Sequence, residues 1–141
     1  MSIIVGFVPT PAGEAALAAG IAEAKLRNED LVIVNSAREG ALVDKSVAPD
    51  NVLARAASRA AEAGVMATVI QPPYQHDLAD EFLDVAREAN ASLIVIGLRH
   101  RTQVGKFILG SHAQRILMQA DRPVLAVKAA GAWEVPRSAR P

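Results

Sequence analysis

Apolar residues gather in five short runs, and the segments between them repeat apolar positions every three or four residues. The runs are Ile3 to Val8, Leu31 to Val34, Met66 to Ile70, Leu93 to Ile96 and Val124 to Val127. They are continuous rather than alternating, as expected for strands buried on both faces. The intervening segments put Leu17, Ile21 and Ala24 on one helical face, then Leu53, Ala56, Ala57 and Ala60, then Leu78, Phe82, Val85, Ala86 and Ala89, and last Ala113, Ile116 and Leu117. Thr10 followed by Pro11 predicts an N-cap and first helical position, and the first helix runs to about Arg27. Pro49-Asp50 opens the second helix and Gly64 closes it, while Asp77 is placed to cap the third. Gly20 lies inside the first helix at a cost of about 1 kcal/mol relative to Ala, which marks a close contact. Ser36 to Val47 has no period and reads as a loop; residues 129–141, with Trp133, read as a tail after a single domain of residues 1–128.

The order βαβαβαβαβ with apolar strands predicts an α/β fold: a parallel sheet with helices on both faces. Right-handed crossovers leave few topologies. Ligands of such sheets bind beyond the carboxyl ends of the strands, where strand order reverses. The loops after Val8 and Ile96 are the pair expected to meet there.

Composition narrows the function classes. Fifteen basic residues balance fifteen acidic ones among 141, which argues against a general nucleic-acid or membrane-surface binder. No cysteine is present, so disulfides, thiolate metal sites and thiol nucleophiles are excluded. The start, MSIIVGFV, carries no signal-peptide pattern, and no apolar run nears the about 20 residues of a membrane span. A cytoplasmic protein is expected.

Against this balance, no Asp or Glu occurs between Glu88 and Asp121, where Arg99, His100, Arg101, Lys106, His112 and Arg115 sit. Strand, basic loop and a Gly110-Ser111 helix start form a pattern that seats an anion, since helix N-termini and loop amides attract phosphate. Solvated loop arginines and a Ser that caps its own helix are the plainer alternatives. His76-Asp77 reads as helix capping, with no third ligand at metal spacing. There is no GxxxxGK[ST] loop, no nucleophile elbow and no carboxylate pair to hold magnesium, so no enzyme is expected.

Gly97, Gly110 and Ser111 resemble the phosphate-binding signature of the universal stress protein family: Gly, two residues, Gly, nine residues, then Gly and Ser or Thr. His100 stands where the second Gly belongs. Ile-Val-Ile-Gly before the loop, Ile-Leu-Gly-Ser at the helix start and Pro-Val-Leu-Ala-Val near the end are also similar to that family. The resemblance implies a single-domain, five-stranded parallel sheet of order 3-2-1-4-5, adenine nucleotide alpha hydrolase-like, that binds ATP or AMP. It implies phosphate contacts from Gly97, Gly110 and Ser111, to which the basic side chains of Arg99, His100, Arg101 and His112 add candidate donors. Nucleoside contacts would come from Val8, Pro9, Thr10 and Asn35, the last equally able to form a turn. Val8 replaces the family's acidic residue, and the nearest carboxylate in sequence is Glu14. The resemblance also implies a homodimer through Pro123 to Lys128, with Trp133 beside it, and a regulatory or sensor role alongside an unidentified protein partner. The competing expectations are a nucleotide-free interaction module and a slow ATPase.

Overall fold

A computed structural model describes residues 1–35, 50–72, 78–101, 106–108 and 110–129, with 99–101 and 106–108 described through their backbone. The expected loop Ser36 to Val47, His76-Asp77 and the Trp133 tail lie outside the described residues. The elements are β1 (Ser2–Gly6), α1 (Pro11–Arg27), β2 (Asp30–Val34), α2 (Asp50–Glu62), β3 (Ala67–Ile70), α3 (Leu78–Glu88), β4 (Ala91–Arg101), β5 (Lys106–Ile108), α4 (Ser111–Gln119) and β6 (Val124–Lys128).

The parallel strands run in the order β3-β2-β1-β4-β6, which is the expected 3-2-1-4-5 when parallel strands alone are counted. Register aligns Ile4 with Val32 and with Ile94, and Ile94 with Val124. Alternation along each strand then divides the apolar residues between two cores. Ile3, Val5, Leu31, Ile33, Leu93 and Val95 face α1 and α2. Ile4, Val32, Val34, Ile94 and Ile96 face α3 and α4. Ile3, Ile4 and Val5 are each 0% exposed, so the central strand has no solvent face, which is why its sequence does not alternate.

Local signals set the ends of α1. The Thr10 hydroxyl accepts from the Gly13 amide at 3.2 Å, with Pro11 in the first turn. At the other end Asn28 adopts φ 55°, and its N–H reaches the carbonyls of Ala24 and Lys25. Gly20 is explained by packing: a Cβ there would stand 2.1 Å from Val5 Cγ2. Gly64, at φ +82°, follows α2 in the left-handed conformation that the sequence predicts.

Two expectations need correction. The first strand ends at Gly6 rather than Val8. The basic segment after Ile96 is not a loop throughout. β4 continues to Arg101 and turns back as a hairpin, placing Arg99 opposite Ile108, His100 opposite Phe107 and Arg101 opposite Lys106. Cross-strand hydrogen bonding with the Lys-Phe-Ile segment holds these residues extended despite their polarity, which the apolar-run criterion does not register.

Candidate phosphate and nucleoside site

The β1–α1 turn and the carboxyl half of β4 meet, as the strand order requires. A Cβ built on Gly97 would lie 2.2 Å from the Ala12 carbonyl oxygen and 2.7 Å from its carbon. Gly97 therefore lets the first turn of α1 lie directly on β4. It is not the exit from the strand, since it pairs with Val127 of β6 inside β4. Gly13 does the same within the turn, where a Cβ would stand 1.8 Å from the Val8 carbonyl oxygen. Sequence reasoning passed over Gly13; a glycine in the first turn of an otherwise Ala-rich helix is the signal that finds it.

On the opposing face, α4 starts at Ser111. Gly110 is the N-cap, with φ −62° and ψ 160°, and no side chain caps the helix. Ser111 is therefore the first helical residue rather than the cap, a correction with a geometric reason. A cap must take extended φ/ψ, and here Gly110 does so. The Gln114 amide bonds to the Gly110 carbonyl at 2.9 Å, opening the helical ladder. Gly110 offers the first amides no side-chain acceptor, and the first turn carries no acid. Among the described residues a Cβ on Gly110 would meet nothing within 4 Å, and Ser111 is exposed. Together these make an open, positively polarised helix end. His112, in the same turn, is half-buried, and its Nδ1 is enclosed without a hydrogen-bond partner among the described residues.

The remaining candidates separate. Arg115, basic in the acid-free stretch, turns to α3 and donates to Asp80 at 3.1 Å, so the acid missing from the local sequence arrives through the fold. Arg99, His100 and Arg101 are placed by backbone in the hairpin, and their side-chain roles lie outside the described residues. Val8 and Thr10 are half-buried and Pro9 exposed in the turn, where the Thr10 amide donates to the Val8 carbonyl at 2.8 Å. Asn35 is 0% exposed. Its amide nitrogen donates to the Phe7 carbonyl at 2.9 Å, its carbonyl accepts from Gln71 Nε2 at 2.9 Å, and its backbone N–H bonds to Ile70. It ties the ends of β1, β2 and β3 together and presents no free face to a ribose. Glu14, the nearest carboxylate to Val8 in sequence, forms an ion pair with Arg59 of α2. Among the described residues no group of three or more His, Asp or Glu could hold a metal ion, and no helix is long and apolar enough to cross a membrane.

Comparison with known proteins gives concordant results. The model of the family described as "Universal stress protein family" matches residues 1–128. A protein named universal stress protein from Mycolicibacterium smegmatis is 40% identical over 129 residues, covering 92% of this chain and 98% of that one. A universal stress protein structure from Archaeoglobus fulgidus superposes with a TM-score of 0.76 at 28% identity, covering 91% of this chain and 98% of that one. A second structure from Archaeoglobus fulgidus, of a universal stress protein in complex with dAMP, gives a TM-score of 0.69 at 24% identity over 91% of this chain and 98% of its own.

Proposed function

The chain belongs to the universal stress protein family, and from that premise we propose that it binds ATP or AMP as a regulatory or sensor state in a stress response, without turning the nucleotide over. The observation that carries the reading is the start of α4: a glycine N-cap at Gly110 with no side-chain cap bond and, among the described residues, nothing within 4 Å of an added Cβ, with Ser111 exposed beside it. Backbone amides aimed at one point and an aligned helix dipole suit a phosphate group. The dAMP complex of the Archaeoglobus fulgidus protein supports an adenine nucleotide as the ligand class. In this reading Gly110, Ser111 and His112 take the phosphates, and Val8, Pro9 and Thr10 line the nucleoside side. Gly97 acts indirectly, by bringing α1 against β4.

A nucleotide-free protein-interaction module is the second reading. Three observations favour it: Val8 in the acidic position, the commitment of Glu14 to Arg59, and the extended backbone at His100. In either reading we place the protein in the cytoplasm as a homodimer joined through β6. Among the described residues β6 pairs with β4 alone, and antiparallel addition of a second copy satisfies its outer backbone groups.

Thermal-shift titration with ATP, AMP and dAMP separates the two readings. Ligand at 100 times its Kd adds about 2.7 kcal/mol of stability, a shift of several degrees. Gly110→Val, at negative φ and with no described residue in the way of its Cβ, retains the fold and loses the shift. No shift with millimolar nucleotide on the native chain favours the interaction module.

A further inference from the structure

Every sulfur atom of this chain lies outside its core. The sequence holds three methionines and no cysteine, and Met1, Met66 and Met118 are 75%, 75% and 79% exposed. Methionine ordinarily fills gaps in cores. Here the largest fully buried side chains are those of Phe, Ile, Leu, Val and Asn, so the core packs without a thioether.

Two of these thioethers sit on ordered backbone away from the proposed nucleotide seat. Met66 precedes β3 at the amino end of the sheet, and its carbonyl accepts the Leu31 amide at 2.8 Å. The seat lies at the opposite, carboxyl end. Met118 belongs to α4, two residues beyond the buried Ile116 and therefore about 200° around the helix from it. It stands about 10 Å along the helix from Ser111. With no thiol in the chain, these thioethers are its most readily oxidised side chains toward two-electron oxidants. Their position also makes the product harmless to the fold. A sulfoxide inside a core would bury an unsatisfied dipole, whereas at an exposed position water solvates it.

We propose that Met66 and Met118 are sacrificial oxidation sites that consume hypohalous acid and thereby spare the other side chains of the protein. A sulfur lone pair attacks the halogen of hypochlorous acid, and hydroxide departs. Water then forms the S–O bond as chloride leaves, and its two protons are released. In sum, one thioether and one hypochlorous acid give one sulfoxide, one chloride and one proton; sulfur loses the two electrons that chlorine gains. Thiol-dependent sulfoxide reductases restore the thioether, so the sites are renewable. Met1 adds a third thioether of equal exposure to Met66. The proposal stands whether or not the nucleotide seat is filled.

Stepwise addition of sodium hypochlorite to the full chain and to the double variant Met66→Leu/Met118→Leu tests this. Leucine matches methionine closely in volume, and both positions are exposed, so the variant keeps the native fold. Peptide mass mapping reads where oxygen is added, and thermal denaturation reads the fold. In the native chain, doses up to one equivalent per methionine add about 16 Da at Met66 and at Met118 before lysine, histidine or tryptophan is altered. The denaturation midpoint then moves by less than about 2 °C, as for a surface substitution. A methionine sulfoxide reductase with dithiothreitol removes the added mass. In the double variant the same dose falls on lysine, histidine or tryptophan, and the midpoint drops further than in the native chain. Each single variant, Met66→Leu or Met118→Leu, retains one site and falls between the two. Modification of other side chains ahead of Met66 and Met118, a midpoint lowered by their sulfoxidation alone, or a double variant as resistant as the native chain overturns the proposal.

Discussion

Gly97→Ala and Gly110→Ala test whether two glycines of one signature do different work. At Gly97 the new methyl would lie 2.2 Å from the Ala12 carbonyl oxygen and 3.1 Å from Ala12 Cβ. The first distance is more than 1 Å inside ordinary contact, roughly, and the obstacle is backbone rather than a rotatable side chain. Relief therefore requires the first turn of α1 to lift from β4. Overpacking of this kind costs about 1–3 kcal/mol. At Gly110 a methyl meets nothing within 4 Å among the described residues, and φ is −62°. The loss of a preferred N-cap, several tenths of a kcal/mol, opposes a gain of about 0.4–1 kcal/mol from a less flexible unfolded chain. The net change is expected within about 0.5 kcal/mol of zero. Urea denaturation followed by circular dichroism resolves the difference. With a slope of about 1–3 kcal/mol per molar, a 2 kcal/mol loss moves the Gly97→Ala midpoint down by about 1 M, and the Gly110→Ala midpoint stays near the native value. Nucleotide response should fall in Gly110→Ala despite its native stability. Equal midpoints for Gly97→Ala and the native chain would refute the packing role assigned to Gly97.

Three further substitutions probe the frame around the site. Asn35→Ala removes two side-chain hydrogen bonds and leaves the Phe7 carbonyl without this donor, so thermal denaturation should report a loss of about 3 kcal/mol; a loss below about 1 kcal/mol argues against its role as a tie between strands. Thr10→Ala deletes the cap on α1 and should cost about 1 kcal/mol by the same measurement, with no loss if the Gly13 amide finds water equally well. Ala126→Arg adds charge at an exposed position of β6. Sedimentation should show the native dimer and a monomeric variant of native circular dichroism, whereas a monomeric native chain removes the edge-strand interface.

Features set by a few neighbouring residues could be read directly from the sequence. Thr10-Pro11 starts α1 because cap and helix lie within four residues of one another. Gly64 ends α2 because a residue without a Cβ takes left-handed backbone with no help from distant partners. Continuous apolar runs disclosed a sheet covered on both sides, and their order with the helices disclosed the parallel topology. Other features depend on partners far along the chain. Alternation between the α1/α2 and α3/α4 cores leaves no trace in a strand such as Ile3-Ile4-Val5, since both faces are apolar. The fold decided that Gly97 serves Ala12, that Asp80 answers Arg115, and that Asn35 closes on Phe7 and Gln71. It also gave the N-cap of α4 to Gly110 and extended β4 into a hairpin at Arg99 to Arg101. The physical reason is the same in each case. Capping and backbone preference act over a few bonds and leave a local signature, whereas packing, ion pairing and strand addition join residues whose proximity only the folded chain creates.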